Sequence, residues 1–347
     1  MQKRTIQITK RGVQITLGAL WLLDGALQLQ PQMFTSRFAT DVIAPAAQGQ
    51  PLFVSAPIHL FIHVFLLQPA VLNTVIAVTQ LSIGVLLFIK RSVRFGLVCS
   101  IVWGLFVWYI GEGLGGLANG QGLLLIGAPG AALIYALLAL GSLPKERSRQ
   151  RNKKEPPAYW LALVWAASWT MGAVYQLLPG QNTVSAISSM VIGNADGAPA
   201  WLASLDMFVA NAINSAVGVQ QTAMTGMDMS SGSYMATGQP SGLWLVLLFA
   251  GIQLLVGVMV LASGYFRKVA VVAGIILSLV FWVLGQSLGR YYTGLATDPN
   301  TAPLFILLGM TLLGRAQFDF VRLREDVMRL LTSLRSLCCN VWRKQVQ

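Results

Sequence analysis

The chain contains eight apolar stretches, each close to the length that a helix needs to cross the hydrocarbon core of a bilayer. Their ranges are 12–30, 70–89, 95–117, 122–141, 159–178, 243–264, 269–289 and 301–314. Only 10% of the residues are charged, against about a quarter in a soluble domain. A helix satisfies its own backbone hydrogen bonds in lipid. The sequence therefore predicts an all-α integral membrane protein with eight transmembrane helices.

The distribution of Lys and Arg predicts the orientation, because basic residues concentrate on the cytoplasmic side. If the eight stretches alternate, all but Arg37 and Arg290 of the 24 Lys and Arg residues fall on one side. The first stretch runs to Pro31 without a small-residue cleavage site, so it reads as a retained span. We expect a multi-pass protein of a prokaryotic plasma membrane with both termini in the cytoplasm.

Three further segments are predicted to lie at the membrane surface. Residues 51–67 are apolar, but counting them as a span would break the charge distribution. Their apparent counterpart, 199–219, carries Asp206, Asn211 and Asn214. Both fit interfacial or re-entrant helices in the outer loops. The tail from Arg315 onward combines a helical apolar spacing with many Arg residues, which predicts an amphipathic helix on the cytoplasmic leaflet. A protein partner is the alternative for this tail, and nucleic acid is not expected.

The two halves of the chain resemble each other when shifted by about 174 residues. The segment VWYIGEGLGGLANG (107–120) matches VFWVLGQSLGRYYTG (280–294), and Ala128-Pro129 falls on Ala302-Pro303. An even number of spans per copy predicts parallel repeats about an axis along the membrane normal. The predicted units are a first four-helix repeat (1–144), a basic cytoplasmic linker (145–158), a second four-helix repeat (159–314) and the tail (315–347).

Polar residues inside apolar stretches are costly and mark candidate functional sites. Asp24, Glu112, Gln286 and Arg290 all fall in the outer half of the predicted bilayer. A Glu112–Arg290 contact across the two halves is expected. It would serve as a structural salt bridge, or Glu112 would be a proton-handling carboxylate beside a ligand pocket, or these charges would be solvated. The glycines of the GEGLGG run (111–116) favour close helix packing, with an irregular cavity-lining turn as the alternative.

Two patterns raise the question of a metal. His59 and His63 share one helical face at a spacing of four residues. Display of this pair to water on an interfacial helix is the alternative to ligation. Thioethers favour Cu(I), but methionines also fill irregular packing spaces. A copper contact or packing is therefore predicted for a polar loop that holds Met224, Met227, Met229 and Met235.

The segment GVQITLGALWLLDGALQLQPQMF (12–34) resembles the first helix of the DoxX/DoxD-like four-helix membrane proteins. The GEGLGG run (111–116) is similar to that of uncharacterised bacterial membrane proteins with a duplicated plan. This family is associated with membrane redox chemistry, including thiosulfate:quinone oxidoreductase subunits. The resemblance implies a tandemly duplicated four-helix fold and a quinone or a redox partner.

Three functions remain open at this point. The first is a membrane subunit or accessory protein of a redox or respiratory system, with a quinone- or lipid-type ligand near the outer leaflet. The second is a transporter with a site between the repeats, and the third is an outer-face copper-handling protein. A phosphate-binding loop is absent from the sequence, and no dinucleotide-binding fingerprint follows a predicted strand. A non-catalytic membrane subunit is therefore favoured over a stand-alone enzyme.

Overall fold

The computed structural model describes residues 8–144, 157–217 and 242–313, together with four isolated positions of the C-terminal tail. Within these residues the chain forms eleven α-helices and no strand, which confirms the all-α class. In chain order, the helices are α1 (Lys10–Leu27), α2 (Leu52–Leu67), α3 (Pro69–Phe88), α4 (Val93–Ile110), α5 (Ala131–Gly141), α6 (Leu161–Gln176), α7 (Val184–Ala195), α8 (Ala200–Ala216), α9 (Leu243–Met259), α10 (Gly264–Leu284) and α11 (Thr301–Leu313).

Three helical segments of the described chain are long and apolar enough to cross a membrane. They are α3, α4 and the segment Gly264–Thr293, which contains α10 and the turn after it. This indicates a membrane protein. The count of eight spans stays a prediction, because α1, with 18 residues, is not among these candidates and the remaining apolar helices have only 10–17 residues.

The fourth predicted span, 122–141, is helical only in its second part. A 3₁₀ turn (Leu124–Ile126) and two glycines with positive φ, Gly127 and Gly130, precede α5. Because α5 has 11 residues, it rises only about 16 Å, roughly half of the hydrocarbon thickness. The prediction of a helix over 122–130 is therefore wrong, and irregular backbone occupies that place.

The third predicted span, 95–117, also ends early. Helix α4 stops at Ile110, and Gly113–Gly116 forms a turn with φ between 52° and 74°. Gly115 also approaches the next loop so closely that a Cβ there would lie 2.1 Å from the Pro129 carbonyl oxygen. The glycine run thus provides both of the alternatives that the sequence left open, a close approach and an irregular turn.

Both segments predicted as surface helices are helical, α2 within 51–67 and α8 within 199–219. The sequence did not predict α7 (Val184–Ala195), which packs beside α8. The Met-rich loop, most of the basic linker and the amphipathic pattern of the tail lie outside the described residues.

Small residues bring the first helix of each half onto a partner helix. The Gly18 carbonyl of α1 lies against Gly84 of α3, and the Ala166 carbonyl of α6 lies against Gly257 of α9. At one end of the bundle, Lys10 donates to the Leu143 carbonyl at 2.9 Å. We call this the basic end. The opposite end, which carries the Gly113–Gly116 turn, is the loop end.

Candidate functional site

A cavity of about 70 Å³ opens among the loop-end parts of α1, α3, α4 and α5, and we call it the chamber. Aromatic and aliphatic side chains form most of its wall, including Trp21, Phe61 and Phe106. The Trp21 and Tyr135 rings are in contact, with their centroids 4.5 Å apart. Apolar walls with a few convergent polar groups are found in small-molecule sites, but the volume of about 70 Å³ is well below the roughly 300–1,000 Å³ of a typical ligand pocket.

Six polar side chains of the chamber each present a buried atom that has no hydrogen-bond partner in the described part of the chain. Four are acceptors when the carboxyls are ionised, and two are donors. They are Asp24 Oδ1, Gln28 Oε1, Gln80 Oε1, Glu112 Oε2, Trp103 Nε1 and Tyr135 OH. Most buried polar groups in proteins are paired, because an unpaired one costs about 1–3 kcal/mol. Six such atoms around one cavity indicate a place built for a polar partner.

Glu112 is positioned by the start of α5. Its Oε1 accepts a hydrogen bond from the Ala132 backbone N–H at 3.0 Å, and a carboxylate at a helix N-terminus is favoured by the helix dipole. Gly130 leaves room for the other oxygen, since a Cβ there would lie 2.2 Å from Oε2. One oxygen therefore caps the helix while the second stays available in the chamber.

Asp24 on α1 is the most deeply buried carboxyl of the chamber, with only 1% of its surface exposed. The Tyr135 hydroxyl lies near enough to interact with this carboxyl, but the two groups do not reach the distance and angle of a full hydrogen bond. Asp24, Gln28 and Tyr135 together form the deepest polar part of the cavity.

The second half of the chain contributes a third carboxyl, Asp298, from the loop that precedes α11. Its oxygens accept hydrogen bonds from the Thr297 hydroxyl and the Asn300 backbone N–H, both at 2.7 Å. Burial raises the pKa of the Asp298 carboxyl, and these two hydrogen bonds oppose the rise. Asp298 also interacts electrostatically with both Asp24 and Glu112.

A second and larger cavity of about 320 Å³ lies next to the chamber at the loop end, and we call it the vestibule. Its wall contains residues of both halves, among them Asn119, Gln121 and Asn300. Gln121 is exposed, so the vestibule reaches the surface of the bundle. Among the described residues, no Lys, Arg or His lines either cavity.

The corresponding region of the second half has the same backbone arrangement. Trp108 donates to the Pro129 carbonyl at 2.7 Å, and Trp282 donates to the Pro299 carbonyl at 2.8 Å. Gln286 Oε1 accepts from the Ala302 N–H at 3.0 Å, as Glu112 does from Ala132. These bonds match Pro129 with Pro299, so the predicted match of Ala128-Pro129 to Ala302-Pro303 is wrong. The cause is a loop that is four residues shorter in the second half.

Of the four predicted site residues, the structure brings only Asp24 and Glu112 into the chamber. Gln286 lies at the matched place in the second half, with its amide donating to the Leu124 carbonyl at 3.3 Å. The predicted Glu112–Arg290 contact is wrong. Arg290 is exposed and donates to Asn194 Oδ1 at 3.4 Å. Positive φ values from Ser287 to Arg290 turn the chain away from the helical path on which that prediction depended.

The predicted metal ligands do not meet in the described part of the chain. His59 and His63 are exposed on α2. No described group of three His, Cys, Asp or Glu side chains is close enough to hold a metal ion. Met224, Met227, Met229 and Met235 lie outside the described residues.

Sequence reasoning missed Asp298, Tyr135, Trp103, Gln28 and Gln80. Gln28 and Gln80 are polar residues within apolar stretches, and the rule that identified Asp24 would have found them if applied to amides. Asp298 gives no such signal, because it sits in a polar turn between two apolar stretches.

No family model, no curated protein and no solved structure matches this chain. The geometry of the chamber is therefore the basis for assigning a function.

Proposed function

We propose that this chain is a membrane protein that binds a quinone-type ligand in the chamber, as a subunit or accessory protein of a redox system in a prokaryotic plasma membrane. The observation that carries the proposal is the set of six unpartnered polar atoms in an aromatic cavity. We also propose that the chain is related to the DoxX/DoxD-like proteins, which residues 12–34 resemble, because that resemblance implies a quinone or a redox partner.

The chemistry of a quinone head group matches these atoms. A quinone carbonyl accepts hydrogen bonds, which the Tyr135 hydroxyl and the Trp103 indole N–H can donate. A quinol hydroxyl donates hydrogen bonds, which the free oxygens of Asp24 and Glu112 can accept. The ring itself is flat and aromatic, and it suits contact with the faces or edges of Trp21, Trp103 and Tyr135.

The location also fits a ligand that is dissolved in the bilayer. The chamber lies beside α3 and α4, two of the helices that are long enough to span a membrane. Large apolar side chains on these helices remain exposed outside the bundle, such as Val78 and Val102. Contact with lipid would cover them, and a quinone would reach the chamber from the same lipid phase.

Titration of the full-length protein in lipid nanodiscs with a short-chain quinone tests the proposal. We expect saturable binding in the wild type and a fall in affinity of about 3- to 10-fold in Glu112→Gln, which keeps the cap on Ala132 but loses the charged oxygen. Asp206→Asn is the matched control. Asp206 is a buried carboxyl of α8 whose oxygens also lack hydrogen-bond partners, but it lies outside the chamber. Absence of saturable binding, or equal losses in both variants, would contradict the proposal.

A permease is the second candidate, and the vestibule is the observation that favours it. The walls of this cavity come from both halves of the chain, as a transport site between repeats requires. Uptake of a polar solute by proteoliposomes, together with no quinone binding in nanodiscs, would select this function over the first.

A further inference from the structure

The chamber and the vestibule share three lining residues, Glu112, Ala131 and Asp298. Two of the three are carboxyls, and they come from different halves of the chain. The boundary between the two cavities therefore carries groups that can accept a proton from one side and release it to the other.

The ionisable groups that face this boundary are all acids. Asp24 comes from α1, Glu112 from the turn after α4, Tyr135 from α5, and Tyr291 and Asp298 from the loop between α10 and α11. The parts of α2 and α3 that line the chamber contribute only uncharged side chains, Phe61, Ile76 and Gln80. Carboxyls that line adjoining cavities, with no described Lys, Arg or His among the lining residues, disfavour each other's ionised form, which favours an exchangeable proton in the cluster.

The two ends of the chamber differ in their access to water. Toward the basic end, Leu17, Leu97 and Leu138 have no exposed surface and form part of the apolar core. Toward the loop end, the vestibule is larger than the chamber and includes the exposed Gln121 in its wall. In the described part of the chain, the vestibule therefore gives water a direct approach to Glu112 and Asp298 from the loop end.

We propose that Glu112 and Asp298 form a proton passage, through which the carboxyls of the chamber exchange protons with the compartment at the loop end. A proton that leaves Asp24 or Glu112 is accepted by the Asp298 carboxylate. Asp298 then releases the proton to water in the vestibule, which restores the carboxylate. The passage would carry any protons that accompany ligand binding. Only the identity of that ligand rests on the proposed function. Proton exchange itself can be measured without a quinone.

The experiment uses full-length protein in sealed membrane vesicles with independently set pH inside and outside. A hydrophobic carbodiimide reacts with protonated buried carboxyls, and peptide mass spectrometry locates the adducts. Gln121→Cys with an impermeant maleimide identifies which vesicle face carries the loop end, with the wild type as background. We expect labelling of Asp24 to follow the pH of the loop-end compartment after a pH jump.

The decisive variant is Asp298→Asn. We expect it to slow the response of Asp24 labelling to a pH jump by about 100-fold, the lower end of the range for loss of a proton-transfer group. Asp298→Glu should retain the fast response, and Asp41→Asn, an exposed loop carboxylate paired with Arg37, should leave it unchanged. If Asp298→Asn fails to fold, two measurements decide the question. They are the speed of the labelling response in Asp298→Glu and the compartment whose pH the wild-type labelling follows.

Labelling that follows the basic-end compartment, or an Asp298→Asn response as fast as that of the wild type, would overturn the passage. A wild type that binds no quinone but exchanges protons at the loop end would remove the proposed function and leave the passage standing. Quinone binding together with proton exchange at the basic end would support the proposed function and overturn the passage.

Discussion

Two corresponding regions, one in each half of the chain, make the same backbone contacts around different side chains. In the first half, Glu112 caps α5 with one oxygen and leaves the other unpartnered in the chamber. In the second half, Gln286 caps α11, and its amide group also donates to the Leu124 carbonyl. Glu112 therefore keeps one oxygen without a hydrogen-bond partner, whereas both polar atoms of the Gln286 amide have one.

The residues around these positions differ in the same direction. Counting along the helices from the shared contacts pairs Asp24 with Gly172, Trp103 with Leu277 and Tyr135 with Phe305. At these three positions the second half has no polar side chain, whereas Gln28, Gln80 and Glu112 correspond to glutamines, Gln176, Gln253 and Gln286.

In the second half, the side chain of Leu124 fills the space that corresponds to the chamber. A Cβ at Gly172 would lie 2.5 Å from Leu124 Cδ1, so the leucine occupies the place that corresponds to Asp24. Trp165, Trp169 and Phe305 complete an aromatic core in this half. The matched space is therefore packed in the second half, whereas in the first half it is a cavity with unpartnered polar atoms.

The largest effect is expected where the shared backbone arrangement itself is broken. In Gly115→Ala the new Cβ would meet the Pro129 carbonyl oxygen at 2.1 Å, in a residue with φ of +62°. We expect loss of the folded protein from detergent extracts, measured by size-exclusion chromatography. Gly120→Ala is the control, because Gly120 also has positive φ but nothing lies within 4 Å of its Cβ position, so only about 1 kcal/mol of strain is expected. Equal behaviour of the two variants would show that the close approach is not required.

The next effect concerns the packing of the second half. Leu124→Ala removes a side chain that is 3% exposed, and it should lower the stability by about 2–5 kcal/mol in thermal unfolding. Leu52→Ala, at a residue that is 78% exposed, should change it little. A Leu124→Ala protein as stable as the wild type would mean that the second half is not packed as described.

A smaller effect is expected when the chamber is made to resemble the second half. Tyr135→Phe copies Phe305 and removes a hydroxyl that has no described partner. We expect unchanged thermal stability and a quinone affinity lowered by about 3- to 10-fold. A clear loss of stability would instead show that the hydroxyl has a structural role in the free protein.

The smallest effect is a difference in pH dependence. Because burial raises the pKa of Asp298, its contribution to stability is complete at a pH below the unfolded pKa, near 4. That contribution is lost as the pH rises through the folded pKa, so Asp298→Asn should flatten this decline in thermal unfolding. Asp41 has a pKa lowered by hydrogen bonds from Thr40 and Arg37, and its contribution is lost as the pH falls. Asp41→Asn should therefore act in the opposite direction, and the same sign in both variants would contradict the assigned environments.

The sequence predicted the helices better than their ends. Long apolar runs identify α3 and α4 without ambiguity, since little else is compatible with such a run. The left-handed turns at Leu114 and Leu288 could not be foreseen, because leucine rarely adopts positive φ and only the surrounding packing imposes it. The wrong position of Arg290 follows from this turn.

The candidate site was predictable only in part, for a related reason. Asp24 and Glu112 stand out because a charge in an apolar stretch is costly. Tyr135 and Trp103 look like ordinary lipid-compatible residues until the fold shows that their polar atoms have no partner. Asp298 becomes part of the site only because a loop of one half covers the cavity of the other.

Photo-crosslinking with an azido-quinone tests the asymmetry of the two halves most directly. The account predicts that crosslinks map to the chamber, at Trp21, Trp103 or Tyr135, and that an excess of unmodified quinone suppresses them. Trp169 and Phe305, at the matched positions of the second half, should stay unlabelled. Equal labelling of both halves, or labelling that excess quinone does not suppress, would contradict it.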